Sequence, residues 1–435
     1  MSNQLPATKN SLKVGLASVD ITPEIGVPLA GFGGAKRRII PVDWLGRHPY
    51  ATYFKPSVGI LDPIRAKAML LENSGKKCLF VSLDIVAVTA RIVEDILQKI
   101  KNLNFSANEV FISATHTHSG PGTLSRNRIW QLLATDRFQE KIYERFLEGI
   151  KAAVEAAHSA LVPAQLFAGS FRAEGWQRNR SQRQGQFDPE VNLLLAQSKD
   201  KRWLGGLINL GIHATALGMG NLKFSADIPG QMEQALVEIL QAKNENSGTS
   251  NVVTLFLNGA EGDVSPKSGG LEGMDKIRKE FADQAAAAFH NLRPVSPVWE
   301  SGSKEVKLGK ASLCLKNCVN QRTLRWFIPK CWCISLSGSL PQITSIWHLR
   351  LDDLIFLTWP GEPTAALGLE LKLLAQNVGF RQPWILGLTN DYLAYFTTPA
   401  EYHQSGYEAC SSLYGPEGGS RILEAHQALL KVKQL

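Results

Sequence analysis

Two histidines one residue apart, His116 and His118, stand at the end of an apolar run and directly before Ser-Gly-Pro-Gly in the stretch ISATHTHSGPG, residues 112–122. The Gly-Pro-Gly forbids continuation as strand or helix. Side chains alternate faces along a strand, so residues i and i+2 share one side. Extended geometry persisting through Thr117 would point both imidazoles the same way. A strand end is a good place to hold a metal ion or move a proton. An isolated HxH is equally well explained by a turn carrying two solvated histidines.

Four further strand ends repeat the design of an apolar run followed by polar residues and glycine. INLGIHATALGMG presents His213; LFLNGAEGDVSPKSGG presents Asn258, Glu261, Asp263 and Ser265; LIFLTWPGEPT presents Glu362; WILGLTNDYLAYFTT presents Asn390, Asp391, Tyr392 and Tyr395. Loops at strand ends are where α/β enzymes collect functional groups. Any one of these is explained by a satisfied buried polar residue, whereas five together point to a convergent site. Two or three histidines with a carboxylate suit zinc, which is four-coordinate with room for water. Zinc lowers the pKa of a bound water to roughly 7, and a neighbouring histidine then takes the proton. The choice is His116, His213 and Glu362 as ligands, with His118 as base. Composition and spacing alone do not select these from the nine histidines. His158, His290 and His426 sit in helical patterns, and His48, His348 and His403 lack the strand-then-glycine setting.

The elements that must position these residues interleave. KVGLASVDIT, AKAMLLE, KCLFVSLDIV, EVFISAT, LGGLINLGIH and VVTLFLNGA read as short buried strands. Helical patterns lie at Arg91–Lys101, at Gly230–Gln241, at Gly273–Leu292, and in a longer run with Phe138, Ile142, Phe146 and Ile150 at steps of four, capped by Thr135 or Asp136. From Lys304 to Trp359 the text is strand-rich. This is an α/β (α+β) mixture with mixed β-sheets and helices. No repeat or linker cuts the chain, which predicts one domain over residues 1–435.

With 44% hydrophobic and 20% charged residues the chain is an ordinary globular protein. The net charge of +8 is modest for 435 residues, and the clusters AKRR and RAEGWQRNRSQR belong to no nucleic-acid module. No nucleic-acid partner is expected. No secretory signal or stretch of ~18 apolar residues is visible, so the expectation is a cytoplasmic protein without a transmembrane segment. The six cysteines form no dense framework. Four of them, Cys314, Cys318, Cys331 and Cys333, cluster at a C-x3-C…C-x-C spacing that is no standard zinc pattern.

THTHSGPG (115–122), NRS (179–181), GDVSP (262–266), PGEPT (360–364) and the segment NDYLAYFTTPAEYHQSGYEACSSLYGP (390–416) together resemble the neutral ceramidases, zinc amidases that split ceramide into sphingosine and a fatty acid. DITP near the start and DPIRAKAML (62–70) fit the same pattern, and the resemblance runs from about Val14 to the C-terminal end. It implies one ceramidase-like catalytic domain with sheets and helices in layers, and zinc bound by His116, His213, Glu362 and Tyr395. Spacing alone does not choose Tyr395 over Tyr392. It further implies that His118 is the general base, that Ser265 is a nucleophile or a donor to the carbonyl, and that Arg180 and Tyr407 contact the reacting amide. The implied partner is a small N-acyl, lipid-like substrate, with transient contact to a membrane surface. The chain departs from the family in stopping soon after LYGPEGGSRI, where the family carries an immunoglobulin-like domain, and in placing the acidic Glu261 beside the serine loop.

Overall fold

The computed structural model describes residues 12–182, 184–244, 251–319 and 332–431. Eight strands form the path of the larger sheet: β1 (Lys13–Asp20), β2 (Arg65–Asn73), β3 (Lys76–Leu83), β4 (Val110–Ala114), β5 (Val162–Arg172), β6 (Glu190–Ser198), β7 (Trp203–Leu210) and β8 (Val253–Asn258). Their spatial order is β8-β7-β6-β5-β1-β2-β3-β4, with the short strand Arg293–Val295 added against β5. A second sheet holds β9 (Trp299–Lys307), β10 (Ile343–Leu351), β11 (Leu354–Thr358) and β12 (Gln382–Leu386), in that order. Most neighbours are antiparallel, but β3–β4, β7–β8 and β11–β12 are parallel. Parallel neighbours need a crossover, here a helix in each case: α1 (Ala90–Lys99), α3 (Asp227–Lys243) and α5 (Ala365–Asn377). The remaining long helices are α2 (Glu140–Ser159), α4 (Gly270–Ala288) and α6 (Gly418–Lys431).

The apolar runs explain the layering. β2, β3 and β8 are buried along nearly their whole length, so both faces must be covered. Helices α1 and α2 cover the β1–β4 half of the larger sheet through Ile92, Ile96, Phe146 and Ile150. Helices α3 and α4 cover β6–β8 through Ile228, Leu236, Ile277 and Phe281. The other face of the larger sheet packs on the second sheet, where Phe80 and Phe111 meet Phe356 and Trp384. Helices α5 and α6 close the far side. The sheet also bends back on itself, so that Ser82 Oγ on β3 donates to the Phe256 carbonyl on β8 at 2.6 Å. A buried Lys67 ammonium bridges Asp84 at 2.9 Å and Glu233 at 2.5 Å, tying β2, the loop after β3 and α3 together.

The expected strands and mixed sheets are present; β5 and β6 complete the sheet that the listed runs begin. The capping expectation for α2 is corrected. Asp136 has φ 65° and its carboxylate accepts from the backbone N–H groups of Thr52, Tyr53 and Phe54, so it pins a distant loop and the helix starts at Glu140. The cysteine cluster resolves into disulfides: Cys314 pairs with Cys333, and Cys318 with Cys410, a cysteine outside the cluster. Cys331 lies outside the described residues. Among the described residues no helix is long and apolar enough to cross a membrane.

Candidate metal centre and its pocket

The C-terminal ends of the parallel strands converge, which is where open α/β sheets place their ligands. His116 follows β4, His213 follows β7, Glu261 follows β8, Glu362 follows β11, and Tyr392 and Tyr395 follow β12. Asn258 fastens two of these ends: its side-chain amide donates to the carbonyls of Thr115 and Ile212, and its oxygen accepts from the Ile212 N–H.

The alternation argument for the two imidazoles is corrected here. The strand stops at Ala114 and His116 takes a left-handed φ of 65°, so the chain turns before Thr117. The imidazoles meet all the same, with His118 Nε2 at 3.3 Å from His116 Nε2. His116 N donates to the Ile85 carbonyl, and His118 N to that of Ala214. The buried Arg37 donates to the His118 carbonyl at 3.1 Å.

Tautomers follow from the backbone. His116 Nδ1 donates to the Val86 carbonyl at 2.6 Å, and His213 Nδ1 to the Glu261 carbonyl at 2.7 Å. In the neutral ring each Nε2 therefore keeps its lone pair. Both lone pairs face Glu362 Oε2, at 3.3 Å and 3.2 Å, and all three side chains are essentially excluded from solvent. Donors held at 2.0–2.1 Å around a tetrahedral ion lie about 3.3 Å apart. Three buried acceptors converging at that spacing fit a cation. His116, His118 and His213 form one group able to hold a metal, and His116, Glu261 and Glu362 a second.

Two short ribbons bring in the remaining residues. Glu362–Pro363 pairs in parallel with Tyr395–Phe396, setting Glu362 directly beside Tyr395. Tyr395 Oη lies 3.2 Å from His213 Nε2, whereas Tyr392 Oη donates to the other Glu362 oxygen at 2.7 Å. Val264–Pro266 pairs antiparallel with Gln177–Asn179, which places Ser265 beside Arg178 and brings Arg180 in next. Arg180 donates through Nε to Glu408 at 2.8 Å, and through Nη2 to the Gly262 carbonyl at 2.8 Å and Tyr395 Oη at 3.1 Å. Asp263 holds the ribbons together, accepting from Asn179 Nδ2 and from the Ala365 N–H. Tyr407 is 61% exposed, with its ring against Tyr395.

Burial, followed by the neighbouring His116 and His213, pushes the His118 imidazole well below its ordinary range, which favours the neutral ring. Burial opposes the Arg180 charge, but Tyr395 and Glu408 outweigh it and raise the guanidinium further. Burial and then Glu362 push the carboxyl of Glu261 well up.

Of the residues singled out from sequence, His116, His118, Arg180, Ser265, Glu362, Tyr395 and Tyr407 line one cavity of about 1250 Å³. His213 is not among the lining residues and is bonded to Tyr395, which is. The cavity continues along Ile85, Ile92, Leu124, Trp130, Leu133 and Leu413. Sequence reasoning assigned no task to Tyr392, Asn258, Asp263 or Glu408. Each lay within a quoted motif, but its partner was set by pairing between distant loops.

The chain is similar to known proteins. A neutral ceramidase of Pseudomonas aeruginosa is 23% identical over 456 residues, covering 86% of this chain and 67% of that protein. A neutral ceramidase of Mycobacterium tuberculosis is 21% identical over 491 residues, covering 93% of this chain and 74% of the relative. The crystal structure of the P. aeruginosa neutral ceramidase superposes with a TM-score of 0.77 at 20% identity, over 98% of this chain and 75% of that one. The family described as neutral/alkaline non-lysosomal ceramidase, N-terminal, matches residues 42–291 and 331–423. That match takes in the two histidine loops, the serine ribbon and the Glu362–Tyr395 ribbon, and the chain belongs to the neutral/alkaline non-lysosomal ceramidase family.

Proposed function

We propose that this protein is a zinc-dependent amidohydrolase that cleaves the N-acyl amide of ceramide or a related N-acyl lipid. The observation that carries the reading is the convergence of His116 Nε2, His213 Nε2 and Glu362 Oε2, spaced for one ion, beside a cavity lined by many apolar residues. Its volume of about 1250 Å³ exceeds the roughly 300–1,000 Å³ of ordinary small-molecule sites, which suits an acyl chain.

His116, His213, Glu362 and Tyr395 would hold the ion. When bound, zinc supplies Lewis acidity, polarising the scissile carbonyl and acidifying water to roughly pKa 7. His118 takes a proton from the attacking water at Nε2 and delivers it to the leaving nitrogen. Arg180, aimed by Glu408 and the Gly262 carbonyl, donates to the charge developing on the carbonyl oxygen, a contact typically worth ~3–4 kcal/mol. Tyr407 adds a donor at the cavity, and Ser265 positions the amide from its ribbon. The apolar lining would exclude water from the acyl chain and orient it. The two disulfides favour an oxidising compartment over the cytoplasmic location expected from cysteine usage.

The test is metal content together with hydrolysis of an N-acyl panel, from short acyl amides to long-chain ceramide, by the wild type and by His116→Ala. Activity that follows zinc loading and rises with acyl length, and is lost in His116→Ala, supports the reading. Undiminished turnover after exhaustive chelation refutes zinc dependence. Preference for short, soluble amides refutes the lipid substrate.

A further inference from the structure

Glu261 is fully buried, and neither of its carboxylate oxygens receives a hydrogen bond. Its backbone already has a task, since its carbonyl accepts from His213 Nδ1 at 2.7 Å. The side chain turns into the same centre. One of its oxygens, one His116 nitrogen and one Glu362 oxygen all lie within 4.8 Å of one another. The fold makes room for it: a Cβ on Gly387 would stand 2.7 Å from Glu261 Oε2 and 2.2 Å from the Gly259 carbonyl. An alanine there would displace the carboxylate or the backbone.

A buried carboxylate without a donor is strongly destabilised. Arg180, the nearest cationic side chain in the ribbon, spends its contacts on Glu408, Gly262 and Tyr395. The neighbouring Glu362 makes the position worse by adding a second negative charge. Both problems disappear if a divalent cation sits between them. Two neutral imidazoles and Glu362 offset one unit of its charge, and a second carboxylate brings the balance to neutral in a medium where charge imbalance is expensive.

We propose that Glu261 is a second carboxylate donor of the metal site, so that the centre comprises two imidazoles and two carboxylates beside the Tyr395 phenol. This rests on the reading that His116, His213 and Glu362 hold a divalent ion, and it adds a ligand outside the set that the family resemblance implies. A second carboxylate adds a negative charge that attracts a dication to the four-ligand set.

The experiment uses the full chain with Zn²⁺ as probe, titrated in competition with a chromophoric chelator, on the wild type, Glu261→Gln, Glu261→Leu and His116→Ala. Glu261→Gln keeps the shape and removes the charge; its zinc affinity falls about 10–100-fold. Glu261→Leu falls at least as far, yet in the metal-free state it melts no lower than the wild type, because an unsatisfied buried carboxylate has gone. Zinc then raises its melting temperature less than it raises that of the wild type. Affinity within twofold of wild type in Glu261→Gln overturns the proposal while leaving the metal site standing, provided that His116→Ala loses zinc. A wild-type protein that takes up no zinc overturns the underlying reading and this proposal with it.

Discussion

Tyr392→Phe tests whether the centre is built or merely crowded. The Tyr392 hydroxyl donates to Glu362 Oε1 at 2.7 Å and leaves Oε2 to the imidazoles. Its ring packs edge-on against Trp130 at 5.4 Å between centroids, a contact that phenylalanine retains. The substitution therefore deletes one O–H and little else. A hydrogen bond to a buried charged group is worth about 1.5–3 kcal/mol. That bond also fixes which carboxylate oxygen faces the ion, and losing such a partner typically costs 10–100-fold in metal affinity. At 1.36 kcal/mol per tenfold, the affinity loss corresponds to roughly 1.4–2.7 kcal/mol, consistent with the bond itself. The assay pairs a zinc competition titration with denaturant unfolding in excess chelator. Affinity should fall in that range and the metal-free protein should lose about 1–3 kcal/mol. Zinc affinity unchanged in a folded Tyr392→Phe would show that Glu362 needs no orienting partner, and would refute the reasoning.

Gly31→Ala should lower kcat about 100-fold with little change in KM, because Gly31 has φ 96° and a Cβ would stand 2.5 Å from His118 Cγ, displacing that ring; steady-state kinetics decide it. Lys67→Met leaves Asp84 and Glu233 buried without their counter-charge and should destabilise the fold by about 3–5 kcal/mol, read as a lower urea midpoint at unchanged slope. Burial lowers the His426 imidazole from 6.5 to about 4, although its bond to the Thr358 carbonyl pulls the other way. The unfolded ring thus gains its proton first as pH falls, so this stability is intact above about pH 6.5 and declines towards pH 4. Unfolding at pH 7.5 and 4.5 should differ by roughly 2.5 kcal/mol from this group, a difference that His426→Leu removes.

The strand ends were legible because buried parallel strands write themselves as unbroken apolar runs, and a glycine marks where each run meets the site. That signal is local, and it marks His116, His213 and Glu362 as polar residues at strand ends. What was illegible is set by pairing between segments far apart in sequence. Nothing in YLAY says that Tyr395 and not Tyr392 faces Glu362 across a two-residue ladder. Cys318 pairs with Cys410, 92 residues on, and passes over its closer neighbours. The turn at His116 is illegible for a different reason. Alternation assumes extended backbone, and a left-handed residue at the critical position changes the direction of every side chain after it.

Reaction centre and substrate wall are held by different means. The groups that would meet the ion hang from the ends of β4, β7, β8, β11 and β12, strands that belong to three helix crossovers, and shifting any one would disturb the packed core. The far wall of the cavity is another kind of structure. Leu313 lies in a three-residue antiparallel ladder that Leu336 directly follows, and Cys410 lies in the short helix Tyr407–Ser411. A ladder that short has little independent stability, and there the two disulfides reinforce the packing of Leu313 and Leu336 on the neighbouring core. Side chains in that wall can therefore change without touching the strands that carry His116, His213 and Glu362. On this fold, the ladder side of the cavity is easier to alter than the strand ends that carry His116, His213 and Glu362.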